Sequence, residues 1–256
     1  MPVLLAAAFL ITATLYASVG FGGGSTYNAL LVMSGADYRI LPTIALVCNI
    51  IVVCGGVYQF ARTGDLSVKR LMPFLVASVP AAWIGGRIPV SETVFVGLLG
   101  SALLLSGVLL ILQRSEPQVA AEAGKHVRTG LFLPAGIGCV IGLLSGIVGI
   151  GGGIFLAPTL YFWRWGSPRQ IAAASSLFIL VNSLAGLAGQ LTKLQDMAIL
   201  SLATPYWPLP IAVLIGGQIG SRLAGYKLSP TLIQRLTAIL ILYVAARLIY
   251  RWTGMI

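Results

Sequence analysis

The sequence predicts an all-α polytopic membrane protein made of two homologous halves, and three observations carry that prediction. Of the 256 residues, 58% are hydrophobic and only 9% are charged, against about 25% charged in an ordinary soluble domain. Mean hydropathy is +0.97, and a chain of this size has more surface than core to cover, so a large soluble core does not explain the deficit. Apolar stretches recur from one end of the chain to the other. Finally, GFGGGS at 20–25 returns as GIGGGI at 149–154, each inside an apolar stretch where a helix should avoid glycine.

The first element, 3–19, loosely resembles a signal peptide. It lacks a positive n-region, and comparable runs follow throughout, so it reads as a retained membrane segment. The next, 24–34, is too short to cross, since a span takes about 20 residues. Residues 3–34 together carry no charge. As one straight helix they would extend ~48 Å, well beyond the ~30 Å hydrocarbon core, and as two spans they fall short of ~40 residues. A broken helix or re-entrant hairpin fits best, with the turn at Gly20–Gly24, where glycine permits dihedrals closed to other residues. Irregular backbone survives at membrane depth only where protein covers it or water reaches it, so the turn is expected to line a cavity. Close helix packing through small residues is the competing reading.

Segments 40–61, 70–86 and 93–112 read as spans and complete a first transmembrane repeat, 1–112. The connecting loop 113–129 (QRSEPQVAAEAGKHVRT) is polar and alanine-rich. The second repeat, 130–256, runs through 130–147, a break at 149–153, the short segment 151–163, then 170–191, 197–221 and 231–250. Val19-Gly20-Phe21-Gly22-Gly23-Gly24 matches Val148-Gly149-Ile150-Gly151-Gly152-Gly153 at an offset of 129. Asn49 with Gly56 matches Asn182 with Gly189 at 133, and Trp83–Arg87 matches Gln218–Arg222 at 135. Drift with preserved order is what small loop insertions leave behind in a duplication, and internal repeats of this kind mark transporters.

Topology has two solutions. If 3–34 and 130–163 each cross once, eight crossings divide the basic residues almost evenly. If each is a hairpin, eleven of the 16 fall on one side: Arg62, Lys69, Arg70, Arg114, Lys125, Arg128, Arg164, Arg169, Arg222, Lys227 and Arg235. The positive-inside rule then places that side in the cytoplasm and both termini outside, with the halves inverted.

The composition also excludes functions. The net charge of +10 is scattered singly and in pairs, as juxtamembrane anchors are, and does not point to nucleic acid. Cys48, Cys54 and Cys139 have no metal-like spacing and read as packing residues. The acids Asp37, Asp65, Glu92, Glu116, Glu122 and Asp196 all lie in or beside loops, and the lone His126 sits in the connecting loop. A coupled cation carrier normally holds a carboxylate within the bilayer, so a metal or other cation permease is the weaker alternative. Membrane-embedded hydrolysis lacks an acidic pair, a spanning His and any HExxH or GxSxG. No cofactor and no metal are expected.

Short helices starting at Gly23/Gly24 and Gly152/Gly153 would aim free N–H groups and positive dipole ends at the breaks, which suits an anion. Gly22, Gly23, Gly24, Gly151, Gly152 and Gly153 are the core of the candidate substrate site. Ser25, Thr26 and Ser145 lie nearby in sequence. Asn49 and Gln59, then Ser175, Ser176, Asn182 and Gln190, are polar groups in the third segments and are expected to face the interior. Arg87 and Arg222 could add positive potential to an anion path, or could snorkel from helix ends.

The VGfGGG pattern, its mid-chain copy VGiGGG, the helix Ala174 to Leu177 and the G-x-x-G-[SG]-R segments resemble the sulfite exporter TauE/SafE family, also called toluene-sulfonate uptake permeases. The resemblance covers essentially the whole chain. It implies an inner-membrane permease, not an enzyme, for sulfite, organosulfonates or related small sulfur-containing anions, with the two glycine loops as the functional carry-over. The first half departs from the second where Ser25-Thr26-Tyr27 replaces Ile154-Phe155-Leu156, which puts strict symmetry of the site in doubt. Direction, coupling ion, oligomeric state and the alternative of another small anion stay open at this level.

Overall fold

The computed structural model describes residues 2–18, 20–112, 132–193, 202–223 and 230–255. Val19, the connecting loop 113–129 with its acids and His126, Asp196 and Lys227 lie outside the described residues. Among the described residues there are ten α-helices and no strand: α1 (Pro2–Ser18), α2 (Gly24–Met33), α3 (Leu41–Thr63), α4 (Val68–Arg87), α5 (Glu92–Leu112), α6 (Phe132–Val148), α7 (Gly153–Phe162), α8 (Pro168–Lys193), α9 (Pro208–Leu223) and α10 (Pro230–Thr253). Helices α3, α5 and α8 are long and apolar enough to cross a membrane, while α1, α6 and α7 are apolar but shorter. The outward faces carry exposed apolar side chains such as Val76, Leu105, Ile111, Val140, Ile215 and Ile239. Such a surface is stable only in lipid. The chain is an integral membrane protein.

The expected span 197–221 is shorter than read: α9 starts only at Pro208, after a 3-10 turn at Thr204–Tyr206. Pro205 and Pro208 supply no backbone N–H and therefore sit where helices begin rather than inside one.

Glycines set the tightest helix contacts. On α6, β-carbons at Gly138, Gly142 and Gly146 would collide with the carbonyls of Phe74, Ser78 and Ala82 on α4. On α9, Gly216 and Gly220 lie in the same way on Leu10 and Thr14 of α1. Both numberings rise together, so each pair is parallel, and each joins one half to the other. Helices meet this closely only where side chains are absent from the seam. The most extensive pairings also map onto one another when the first five helices are exchanged with the last five: α1–α9 with α6–α4, α4–α8 with α9–α3, α2–α3 with α7–α8, and α2–α10 with α7–α5. Pairs α3–α8 and α5–α10 map onto themselves.

Contacts at the two ends of α4 fix the course of the chain. At its start, Arg70 donates to the Trp165 carbonyl, with its guanidinium 4.3 Å from the Trp165 ring, and Arg169 lies 3.9 Å from Asp65. Beyond its far end, Glu92 meets Arg251 at 2.6 Å, and both line a cavity of about 420 Å³ together with Gly35, Asp37, Tyr38 and Arg39. Because α6 runs parallel to α4, it leads away from Arg70, yet three residues after α7 the chain is back at Arg70. The α6–α7 unit is therefore a hairpin. Likewise α10 ends at the Glu92 end, so α9 starts there, α1 beside it starts there too, and α2 delivers Gly35 back to it. Both glycine breaks are re-entrant turns.

Candidate functional site

The two turns share a plan, a left-handed glycine closing one helix and another opening the next, but differ in detail. Helix α1 ends in a Schellman motif: the Phe21 N–H bonds to the Tyr16 carbonyl at 2.9 Å and the Gly20 N–H to the Ala17 carbonyl at 3.3 Å, with Gly20 left-handed at φ +80. Helix α6 ends with the Gly149 N–H on the Ser145 carbonyl at 2.8 Å, again with φ +80. Glycine has no β-carbon to clash in that conformation, which is why it closes helices. The chain then runs back and restarts a helix at Gly24 or Gly153, after the left-handed N-caps Gly23 (φ 88) and Gly152 (φ 81), neither of which has a side-chain cap. Residues 20–23 and 149–152 are thus non-helical, as expected, while Gly24 and Gly153 already belong to the helices.

The restarts leave donors open. Tyr27 makes the first intrahelical bond of α2, to the Gly23 carbonyl at 2.9 Å. The N–H groups of Gly24, Ser25 and Thr26 precede it, and each residue is buried. In α7, Phe155 and Leu156 both reach the Gly152 carbonyl at 3.1 Å, leaving those of Gly153 and Ile154 ahead of them. Side chains hold the α2 start in place: the Tyr16 hydroxyl lies 2.8 Å from Thr26 Oγ1, and the Phe9 and Tyr27 rings stack at 4.7 Å.

The two turns meet between α3 and α8, at Asn49. Its Nδ2 donates to the Ile150 carbonyl at 3.2 Å, while its Oδ1 has no partner. A β-carbon at Gly22 would lie 2.6 Å from that Oδ1, and one at Gly151 would lie 2.9 Å from Nδ2. A β-carbon at Gly24 would strike the Asn49 amide and come within 2.7 Å of the Ile150 carbonyl. Across from Asn49 stands Ile179, whose Cγ2 would be 3.2 Å from a Gly22 β-carbon and 2.9 Å from a Gly151 one. One amide and one branched aliphatic side chain therefore clamp both turns.

The halves latch each other. Asn28 of α2 donates to the Val148 carbonyl at 2.9 Å, and Ser176 of α8 donates to the Gly20 carbonyl. Within the second half, Gln190 of α8 donates to the Gly146 carbonyl of α6 at 2.8 Å. Of the residues expected at the site, the structure brings together Gly22, Gly23, Gly24, Ser25, Thr26, Asn49, Gly151, Gly152, Gly153 and Ser176. Asn182 is buried in α8, but spends its Nδ2 on the Phe178 carbonyl of its own helix at 2.9 Å. Arg87 is exposed, its guanidinium 4.5 Å from the Trp83 ring, and Arg222 is exposed at the end of α9. Gln59 corrects the expectation of inward-facing polar groups: it is exposed, near the end of α3 where its amide can reach the interface. Asn28, Ile179 and Ser183 were missed. Asn28 could have been found as a polar residue in an apolar segment, and Ser183 likewise. Ile179 has no distinguishing signal.

No acid approaches this region among the described residues. Asp37 pairs with Arg39 at 2.7 Å, Glu92 with Arg251, and Asp65 accepts from Thr63 at 2.7 Å, all at the ends of the bundle. The Arg39 guanidinium, hydrogen-bonded to Asp37, holds that carboxyl below its ordinary range.

Comparison with known proteins agrees with this architecture. Residues 4–248 match the family model described as sulfite exporter TauE/SafE. The chain is 32% identical over 249 residues to "Probable membrane transporter protein y4hK" of Sinorhizobium fredii, covering 96% of this chain and 97% of that one. It is 26% identical over 243 residues to "Probable membrane transporter protein MamO" of Magnetospirillum gryphiswaldense, covering 79% of this chain but only 38% of that longer protein. No solved structure matches. A match across nearly the whole length, through both glycine turns, leaves one assignment: the chain belongs to the sulfite exporter TauE/SafE family of membrane transporters.

Proposed function

We propose that this protein is a permease for small sulfur-containing anions such as sulfite or organosulfonates, that it exports them across a bacterial inner membrane, and that it holds them where the two glycine turns meet. The observation that carries the reading is that the start of α2 and the turn leading into α7 both lie against Asn49, each with helix-start N–H groups beside it. Helix N-termini carry partial positive charge and unpaired N–H groups, and in a low-dielectric interior these bind an oxyanion strongly. Glycine at the turns lets the anion approach the backbone itself.

The halves are inverted repeats in this reading. Each consists of a hairpin and three further helices, so the second starts on the face where the first ends. The end bearing Arg62, Lys69, Arg70, Arg164 and Arg169 faces the cytoplasm by the positive-inside rule. The turns are closed on Asn49 in this conformation, so substrate enters as one hairpin moves against the α3–α8 pair, and the inverted repeat offers the same movement to the other face.

Sulfite flux in proteoliposomes tests this directly. Gly23→Val and Gly152→Val put a branched side chain at left-handed backbone and should abolish measurable flux in folded protein. Gly55→Ala, where a β-carbon meets nothing within 4 Å, should transport as the parent does. Unchanged sulfite flux in both valine variants refutes the site.

A further inference from the structure

Four carboxamides are fully buried in the described residues, Asn28, Asn49, Asn182 and Gln190. Every one of them spends its NH₂ group on a backbone carbonyl: Val148, Ile150, Phe178 and Gly146 respectively. Every one of them leaves its carbonyl oxygen without a partner. The assignment of O and N is fixed by chemistry here, since a carbonyl oxygen can face only the donor end of an amide. A buried acceptor with no donor is unfavourable, and proteins rarely leave one without a use for it.

At Asn49 the open oxygen has a particular setting. It lies toward Gly22, two residues ahead of the α2 start, while its amide nitrogen faces Gly24 and Gly151, and the unpartnered Ser183 hydroxyl lies 3.1 Å from where a Gly151 β-carbon would stand. The region therefore offers backbone N–H donors to anionic oxygens, and in the same place a lone acceptor that an anionic oxygen would be repelled by. Only a ligand with both characters satisfies it.

Building on the oxyanion reading above, we infer that the site selects an oxyanion that still carries a hydrogen-bond donor: hydrogensulfite rather than the sulfite dianion, with its O–H given to Asn49 Oδ1 and its charged oxygens held by the helix starts. The transported proton then rides on the substrate, and no acid within the membrane is required. The titratable groups beside the α2 turn are Tyr27 of α2, whose ring lies against Gly23, with Cys48 of α3 and Tyr16 of α1 near it, and their ordinary ionisation lies above about pH 8. The charged side chains Arg62 on α3 and Arg169 and Lys193 on α8 lie near helix ends. None of these supplies a proton switch between about pH 5.5 and 8.

The test uses the unmodified protein and isothermal titration with three probes. Methanesulfonate and hydroxymethanesulfonate are both monoanions, and only the second carries a donor. Hydroxymethanesulfonate should bind at least about tenfold more tightly, at every pH in the range. Sulfite affinity, counted per total sulfite, should fall about tenfold per pH unit above its second ionisation, as the protonated fraction does. In Asn49→Leu that is shown to be folded, the two sulfonates should bind alike. Equal binding of the sulfonates by the parent, or sulfite affinity that stays flat with pH, overturns the donor requirement and leaves the oxyanion site standing. Failure of all three probes to bind at any pH overturns the oxyanion reading itself.

Discussion

Alanine at Gly142 tests whether backbone contact holds the halves together. A β-carbon there would lie 2.7 Å from the Ser78 Cα and 2.8 Å from its carbonyl carbon, closer still to its oxygen, and all three are backbone atoms of α4. No rotamer change relieves that contact, so α4 and α6 must separate by several tenths of an ångström. Overpacking of this kind costs about 1–3 kcal/mol. The same substitution at Gly136, on the same helix, meets nothing within 4 Å. Alanine favours a helix over glycine by up to ~1 kcal/mol at either position, so that contribution cancels when the two variants are compared. Gly142→Ala should therefore be less stable than Gly136→Ala by about 1–3 kcal/mol in SDS-induced unfolding followed by circular dichroism. Equal stability of the two would mean that the α4–α6 seam is looser than described, and the parallel pairing that places the glycine turn would lose its support.

Further expectations concern topology, coupling and pH. Cysteines placed at Val3 and Asp37, on either side of the first glycine turn, should react with a membrane-impermeant maleimide from the same face of sealed vesicles; labelling from opposite faces would refute the hairpin course of the chain. Changing Asp37, Asp65 and Glu92 to amides should leave proton-gradient-driven sulfite flux within about twofold, since surface charges contribute little; loss of gradient dependence in one variant would identify a protein acid in the coupling step. The Asp37 carboxyl is depressed by Arg39, so its stabilisation is present above the ordinary carboxylate range and lost as pH falls through its folded-state value. The pair is partly exposed and worth at most about 1 kcal/mol. Asp37→Asn should accordingly lower the melting temperature slightly near neutrality and make no difference in acid, as differential scanning fluorimetry can measure.

How far the sequence could be read depended on whether a feature is local. The turns at Gly20 and Gly149 were legible because several glycines within five apolar residues have few uses besides reversed backbone, and length arithmetic excluded a straight helix. The paired helix starts followed from the same motif. The seam at Gly138, Gly142 and Gly146 was not read from the sequence, although glycine every fourth residue on an apolar helix signals a close partner, and nothing marked α4 as that partner. Which carbonyl an amide faces depends on chain more than 100 residues distant, as Asn28 with Val148 and Asn49 with Ile150 illustrate. No local pattern marks Ile179, because an isoleucine in an apolar helix looks the same whether it clamps a turn or meets lipid.

The seam between α1 and α9 has a consequence for how this protein is made. Gly216 lies against Leu10, and Gly220 against Thr14. Roughly 200 residues of synthesis separate the partners, which at ~5–20 residues per second amounts to about 10–40 s. For that interval the first helix is in the bilayer without its neighbour, and the Gly20 carbonyl waits for Ser176 to be translated. Biogenesis therefore passes through a half-built bundle in which the α1 seam and the Gly20 carbonyl have not yet met their partners.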